Sequence, residues 1–198
     1  LAFWERRAAF APDLVPPEEA IQRALVGESG TVVFCDSADS PSSGATGDST
    51  AILEAMLRAA RDEIALLNIV DPQAVAQAIA AGVGSQVTLQ VGGSLAPSFY
   101  SPVTCSGYVK TISDGTFHFK GPGMHGLTFR MGRTVVLTQG GIHLVIMERP
   151  VTQWDPELYR SLGEEPTDAR FGPAKSPPAL RAAYEGIADE IIVIRSRG

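Results

Sequence analysis

The side chains best placed to do chemistry lie between Cys35 and Thr50, in CDSADSPSSGATGDST, a stretch with three Asp, five Ser, two Gly and one Pro and no long apolar residue. Asp36 and Asp39 are carboxylates that could hold a metal ion or a substrate amine. With no His beside them, the metal signal is weak. Ser43, Gly44 and Gly47 make a polar, Gly-containing turn. Asp48, Ser49 and Thr50 stand at N-cap positions of a following helix, where unpaired N–H groups and the helix dipole favour an anion. The stretch is not a phosphate loop, because GATGDST lacks the Lys of GxxxxGK[ST], and it is not GxGxxG. The plainer alternative is a loop whose Asp and Ser side chains bond their own backbone, and spacing alone favours it. Asp48 is expected to cap the helix. Asp39 is expected to be dispensable for folding and to matter to an assembled enzyme.

A second polar cluster is AKSPPALRAAYE, with Lys175 and Ser176 before a helix and Arg181 one turn inside it. Spacing alone suggests solvated charges at a helix start. The sharper expectation is a cationic patch that meets Asp39 and Gly44 at one sheet edge, because loops leaving the C-terminal ends of parallel strands share that edge. The histidines offer little. His118 alternates with Phe117 and Phe119, His143 lies in the apolar run IHLVIM, and His125 in GPGMHG is the one site-like member. None has an HxH or HExxH partner, and no GxSxG elbow occurs.

The elements around these residues read as α/β. TVVFCD and IALLNIV are continuous apolar runs that alternate with the helical runs AILEAMLRAARDE and PQAVAQAIAAGVG, the last capped by Asp71. Such runs suggest parallel strands covered on both faces. The region from about 85 to 150 is β-rich and antiparallel in character: SQVTLQVGG alternates, Asp114-Gly115 signals one hairpin and Gly140-Gly141 another. The fold expected is one α/β domain with a mainly parallel sheet and flanking helices, interrupted by that block. Its parts are lead-in helices over 1–28, α/β over 29–84, the β-rich block over 85–150, and α/β again over 151–198. DARFGPAKS is read as a strand, PPALRAAYEGIADE as a helix and EIIVIRS as the last strand.

Composition excludes some partners. Among 198 residues, 44% are hydrophobic and 19% charged, and the net charge is −6, which disfavours nucleic acid and anionic membrane surfaces. No apolar run approaches the ~20 residues of a membrane span. Cys35 and Cys105 form no disulfide framework and read as buried free thiols of a cytoplasmic protein. The opening LAFWERRAAFAP begins with Leu and is expected to belong to a longer polypeptide.

DSADSPSSGATGDST resembles the D-x-A-D-N-P-G-G-G-A-x-G-D-x-T signature in the C-terminal region of the microcystinase C-like (MlrC-type) metallopeptidases. The likeness continues in order through DPQAVAQAIAAGVGSQVTLQVGG, FKGPGMHGLTFRMGRTVVLTQGGIHLVIMERPVTQWDPELYRSLG and AKSPPALRAAYEGIADEIIVI. The resemblance implies a domain of a bacterial zinc-dependent amide (peptide) hydrolase whose zinc ligands lie in a larger N-terminal domain. Zinc would then be a cofactor of the parent enzyme and not of this chain. The implied partners are that N-terminal catalytic domain and a peptide or amide substrate. The chain alone would bind zinc weakly and show no peptidase activity. The alternatives are a non-catalytic anion- or small-molecule-binding module, and a structural domain whose β-block serves homo-oligomerisation. Two departures from the pattern stand out: Ser40-Pro41-Ser42-Ser43-Gly44 replaces Asn-Pro-Gly-Gly-Gly, and Ala179-Leu180-Arg181 replaces His-Phe-Arg.

Overall fold

Apolar runs without alternation become strands buried on both faces. In the computed structural model, which describes residues 2–10, 13–27, 30–176 and 180–196, β1 (Val32–Cys35) and β2 (Ala65–Val70) are buried at every position. The remaining strands are β3 (Gln86–Val91), β4 (Val103–Ser113), β5 (Thr116–His118), β6 (Thr128–Arg130), β7 (Thr134–Gln139), β8 (Ile142–Met147), β9 (Phe171–Ala174) and β10 (Glu190–Val193). Among the described residues, one eight-stranded sheet has the order β10-β1-β9-β2-β8-β7-β4-β3. Neighbours from β10 to β8 are parallel, and those from β8 to β3 are antiparallel. The β-rich block therefore continues the parallel sheet edge to edge through β8.

The helices are α1 (Ala2–Glu5), α2 (Pro17–Val26), α3 (Ala51–Ala59), α4 (Pro72–Ala81), α5 (Glu157–Arg160) and α6 (Leu180–Ala183). Strand alternation assigns the faces. Val32, Phe34, Leu67 and Ile69 pack with Ile21, Leu53, Met56 and Val75 of α2, α3 and α4. Leu66 and Val70 face the other way, against Phe117, Phe119, Leu158 and Tyr159. Val33 and Cys35 meet Leu180 and Tyr184. Both thiols are buried and free, and burial pushes each up to about 11, so neither is a reactive thiolate at neutral pH.

Asp71 caps α4 as its sequence signals: Oδ1 accepts from Gln73 N and Ala74 N. Its Oδ2 also accepts from Gly92 N at 2.9 Å, which ties the end of β3 to the end of β2. The Gly140-Gly141 hairpin forms between β7 and β8. The Asp114-Gly115 hairpin does not. Among the described residues, β4 pairs with β3 and β7, whereas β5 pairs only with β6 in a separate two-stranded sheet. The turn there takes the chain out of the main sheet, because Phe117 and Phe119 bury against Phe129 and Trp154 instead of beside β4. Among the described residues the final helix ends at Ala183, sooner than its pattern suggests, and the chain then turns. Pro177, Pro178 and Ala179, the last standing where the resemblance has His, lie outside the described residues.

Candidate functional site at the C-terminal edge of the parallel strands

Parallel strands aim their C-terminal ends at one edge, and the loop after β1 rises there. β9 is parallel to β1 with Cys35 beside Ala174, so Asp36 and Lys175 follow their strands at the same level. Of the expected meeting of the two polar clusters, the Lys175–Asp39 contact forms, as a buried ion pair and not as a cationic patch. Lys175 Nζ donates to Asp39 Oδ2 at 2.5 Å and to the Ser49 carbonyl at 3.1 Å. Side-chain exposure is 4% for Lys175 and 0% for Asp39, so this is an ion pair removed from water. Asp39 also accepts from Gly47 N and Ser49 N, both at 2.8 Å. One carboxylate thus closes the whole turn from 39 to 49 and anchors it to β9.

That arrangement reverses the expectation that Asp39 is dispensable for folding. Its three donors would lose their acceptor together. Asp48 is corrected too. Residue 50 is the N-cap of α3 and makes no side-chain capping bond. Asp48 Oδ2 instead accepts from Leu95 N at 2.7 Å and Ala96 N at 3.0 Å, Oδ1 accepts from Thr46 Oγ1, and its carbonyl accepts from Gly93 N. The acid faces outward from its loop because the 92–102 segment presents free N–H donors there. Gly47 has φ +78, and an added Cβ would stand 2.8 Å from Val70 Cγ2, so this position needs glycine for both conformation and space.

The other candidates are more dispersed. Ser43 and Gly44 are exposed at the tip of the turn, and Gly44 has open space around it. Ser49, Thr50 and Ser176 are buried; Thr50 Oγ1 donates to the Ser101 carbonyl, and the Ser176 carbonyl accepts from Cys35 Sγ. Arg181 is exposed on α6, where its charge acts on Cys35. Among the histidines, His125 is exposed in the turn joining β5 to β6, while His143 Nδ1 bonds Glu164 Oε2 at 2.7 Å.

Asp36 is 1% exposed and receives Ser196 Oγ at 2.5 Å and Asp39 N on Oδ1. Burial raises its pKa above the ordinary 3.8, against the lowering effect of Lys175. A folded-state pKa above the unfolded one gives stability that is complete below 3.8 and is lost as pH rises through the raised value. Asp36→Asn removes that loss. Melting temperatures of the two proteins should therefore differ more in the variant's favour at neutral pH than in acid; a gap that stays constant with pH would contradict this assignment.

Above the buried cluster lies a solvent-open hollow of about 330 Å³. Tyr100, Ser101, Ser196 and Thr50 line it nearest the cluster, with Phe99 and Arg195 among the side chains around it. The Tyr100 hydroxyl bonds Ser49, and burial, helped by the carboxylates of Asp39, Asp36 and Asp48, pushes it up to about 12. Tyr100 therefore stays a neutral donor. The volume is in the range of small-molecule pockets, and its place at the ends of parallel strands is the usual one for ligands. Apart from Thr50, these residues escaped the sequence reading. The available signals were an aromatic pair in the Pro- and Ser-rich PSFYSP and a polar Arg-Ser pair just beyond an apolar strand.

The chemistry of this site is that of a positioned polar surface. Among the described residues, no three His, Cys, Asp or Glu gather to hold a metal ion. Asp36 and Asp39 bond hydroxyl, ammonium and amide donors, so the residues present do not fit zinc. Among the described residues, no helix is long and apolar enough to cross a membrane.

Residues 34–198 match the family model for the MlrC C-terminus. The chain belongs to that family. Microcystinase C from Sphingomonas sp. is 27% identical over 176 residues, which is 89% of this chain and 34% of that protein. The crystal structure of a proposed metallopeptidase from Mesorhizobium sp. BNC1 superposes with a TM-score of 0.90 at 23% identity, covering 98% of this chain and 39% of that one. That likeness shows the same fold. This MlrC C-terminal chain therefore spans about a third of each longer relative.

Proposed function

We propose that this chain is the substrate-facing C-terminal domain of a metal-dependent amide (peptide) hydrolase, with zinc held by a catalytic domain N-terminal to it. The observation that carries the reading is the hollow around Tyr100, lined by residues of α2, α3 and the 99–101 and 195–196 segments, with Thr50 from the end of the signature loop, beside the Asp36–Asp39–Lys175 cluster, to which Ser196 bonds. Microcystinase C supplies the substrate class by analogy, and the reading is supported by a donor set in this chain that does not suit a metal ion. In this reading the domain orients a peptide: Tyr100 and Ser101 offer polar contacts, Phe99 an apolar one and Arg195 a cation, while the buried ion pair keeps the loops in place. No bond-breaking step falls to its own residues. Two buried free thiols agree with a reducing, cytoplasmic setting.

The test is hydrolysis of linear peptides by the chain alone and joined to the remainder of its gene product. Activity is expected only in the joined form. Phe99→Ala and Arg195→Ala, both at exposed positions, should raise KM there and leave the melting temperature unchanged. Hydrolysis by the isolated chain, or an unchanged KM in both variants, would reject the proposal.

A further inference from the structure

The main sheet ends at β10 on one side and at β3 on the other. The two edges are built differently. Beside β10, Val15 N donates to the Val193 carbonyl and Arg195 N donates to the Val15 carbonyl, so the lead-in chain occupies that edge. Glu190, at the start of β10, pairs with Arg23. Among the described residues nothing comparable lies along β3, whose one strand neighbour is β4.

Register gives the direction of each backbone group in β3. Val109 N donates to the Ser85 carbonyl. Antiparallel ladders alternate bonded and unbonded pairs, so the bonded pairs that follow are Val87–Gly107, Leu89–Cys105 and Val91–Val103. Gln86, Thr88 and Gln90 then turn their N–H and C=O groups to the free edge. All three residues are exposed, and among the described residues none of them has a backbone bond on that side.

Free edges are commonly blunted by Lys, Pro or an inward-pointing charge. β3 reads QVTLQV and has none of these. The absence of charge is wider than the strand. From Pro72 to Val109 there is no Asp, Glu, Lys, Arg or His, in a chain that is 19% charged. α4, which packs on β3, exposes Gln73, Ala76, Gln77 and Ala80. Charge depletion beside unmet backbone groups marks a surface that another strand covers.

The strand is complementary to itself. A two-fold axis through Thr88 sets Gln86 opposite Gln90 of the partner subunit, amide beside amide. It sets Val87 opposite Leu89 of the partner subunit, aliphatic beside aliphatic. Each outward residue then exchanges both of its backbone bonds. Two copies of this chain carry a net charge of −6 each and repel one another, and an uncharged edge is where they meet at least electrostatic cost. None of the residues lining the hollow around Tyr100 lies in β3 or α4, so this surface is separate from the hollow.

We propose that β3 is a dimerisation edge, which pairs antiparallel with β3 of a second copy of this chain, in register about Thr88, and joins two eight-stranded sheets into one. Such a contact uses the same patch on both copies and closes at two.

Light scattering on the chain at micromolar concentration should give twice the mass of one chain. Thr88→Lys and Thr88→Glu, both at an exposed position, should still melt cooperatively but show the mass of one chain, because like charges then face each other across the axis. Mixing the two variants should restore the doubled mass, since the facing charges become opposite; this requires a register centred on residue 88. In nitrogen-15-labelled parent protein, the amides of Gln86, Thr88 and Gln90 should exchange as slowly as those inside the sheet, and they should lose that protection in Thr88→Lys. The mass of one chain in the parent, an assembly larger than two, rapid exchange at all three amides, or a variant mixture that does not associate would each overturn the proposal.

Discussion

Asp39→Ala should lower the free energy of unfolding by about 3–5 kcal/mol, because it strands a buried ammonium. Lys175 has 4% side-chain exposure and no second carboxylate within ion-pair distance among the described residues. The same substitution leaves Gly47 N and Ser49 N without their acceptor. Urea titration reads the effect as a shift in midpoint. A double substitution separates the two causes. Lys175→Met in the Asp39→Ala background removes the stranded charge and should recover a large part of the loss, because replacing both members of a buried pair by apolar groups is often close to neutral. What remains measures the turn. A loss below about 1 kcal/mol for Asp39→Ala, the level of an exposed pair, would show that the carboxylate is not the anchor of the signature loop.

Gly92→Ala should cost about 2–5 kcal/mol, the sum of a left-handed conformation at about 1–2 and overpacking at about 1–3. Gly92 has φ +77, and a Cβ there would stand 2.5 Å from Ile69 Cδ1, 2.6 Å from Thr50 Cγ2 and 2.9 Å from the Asp48 carbonyl. It joins three segments, since its N–H also bonds Asp71 Oδ2. Gly82 provides the control. Its φ is +87 but a Cβ would meet nothing within 4 Å, so Gly82→Ala should show the conformational part alone. Equal losses at the two glycines would mean that the contact between the 92–102 segment and the signature loop is looser than the distances indicate. The proposed function adds that, in the joined form, a Gly92 variant that still folds should bind peptide more weakly, because the segment that carries Phe99 and Tyr100 would be displaced from the hollow.

Local pattern was enough for the elements whose cause is local. TVVFC and IALLNIV read as doubly buried strands because they carry no alternation, and β1 and β2 are buried on both faces. Asp71-Pro72 read as a helix start because an N-cap carboxylate acts within three residues. The meeting of Lys175 with Asp39 was also legible, since two parallel strands must deliver their following residues to one edge. Tertiary structure decided what depends on residues distant in sequence. Asp48 had every local mark of a cap, but the N–H groups it serves belong to Leu95 and Ala96, in a segment held to the end of β2 by the Asp71–Gly92 bond. Asp114-Gly115 had every local mark of a hairpin, but burial of Phe117 and Phe119 against Trp154 outweighs a pairing of β5 with β4. A turn dipeptide biases two residues, whereas a buried aromatic cluster offers several kcal/mol to whichever strand reaches it. The hollow itself, assembled from residues 17–18, 50–58, 99–101 and 195–196, has no counterpart in any single stretch of the chain, because its walls become neighbours only when β10, α3 and the 92–102 segment pack around the end of β1.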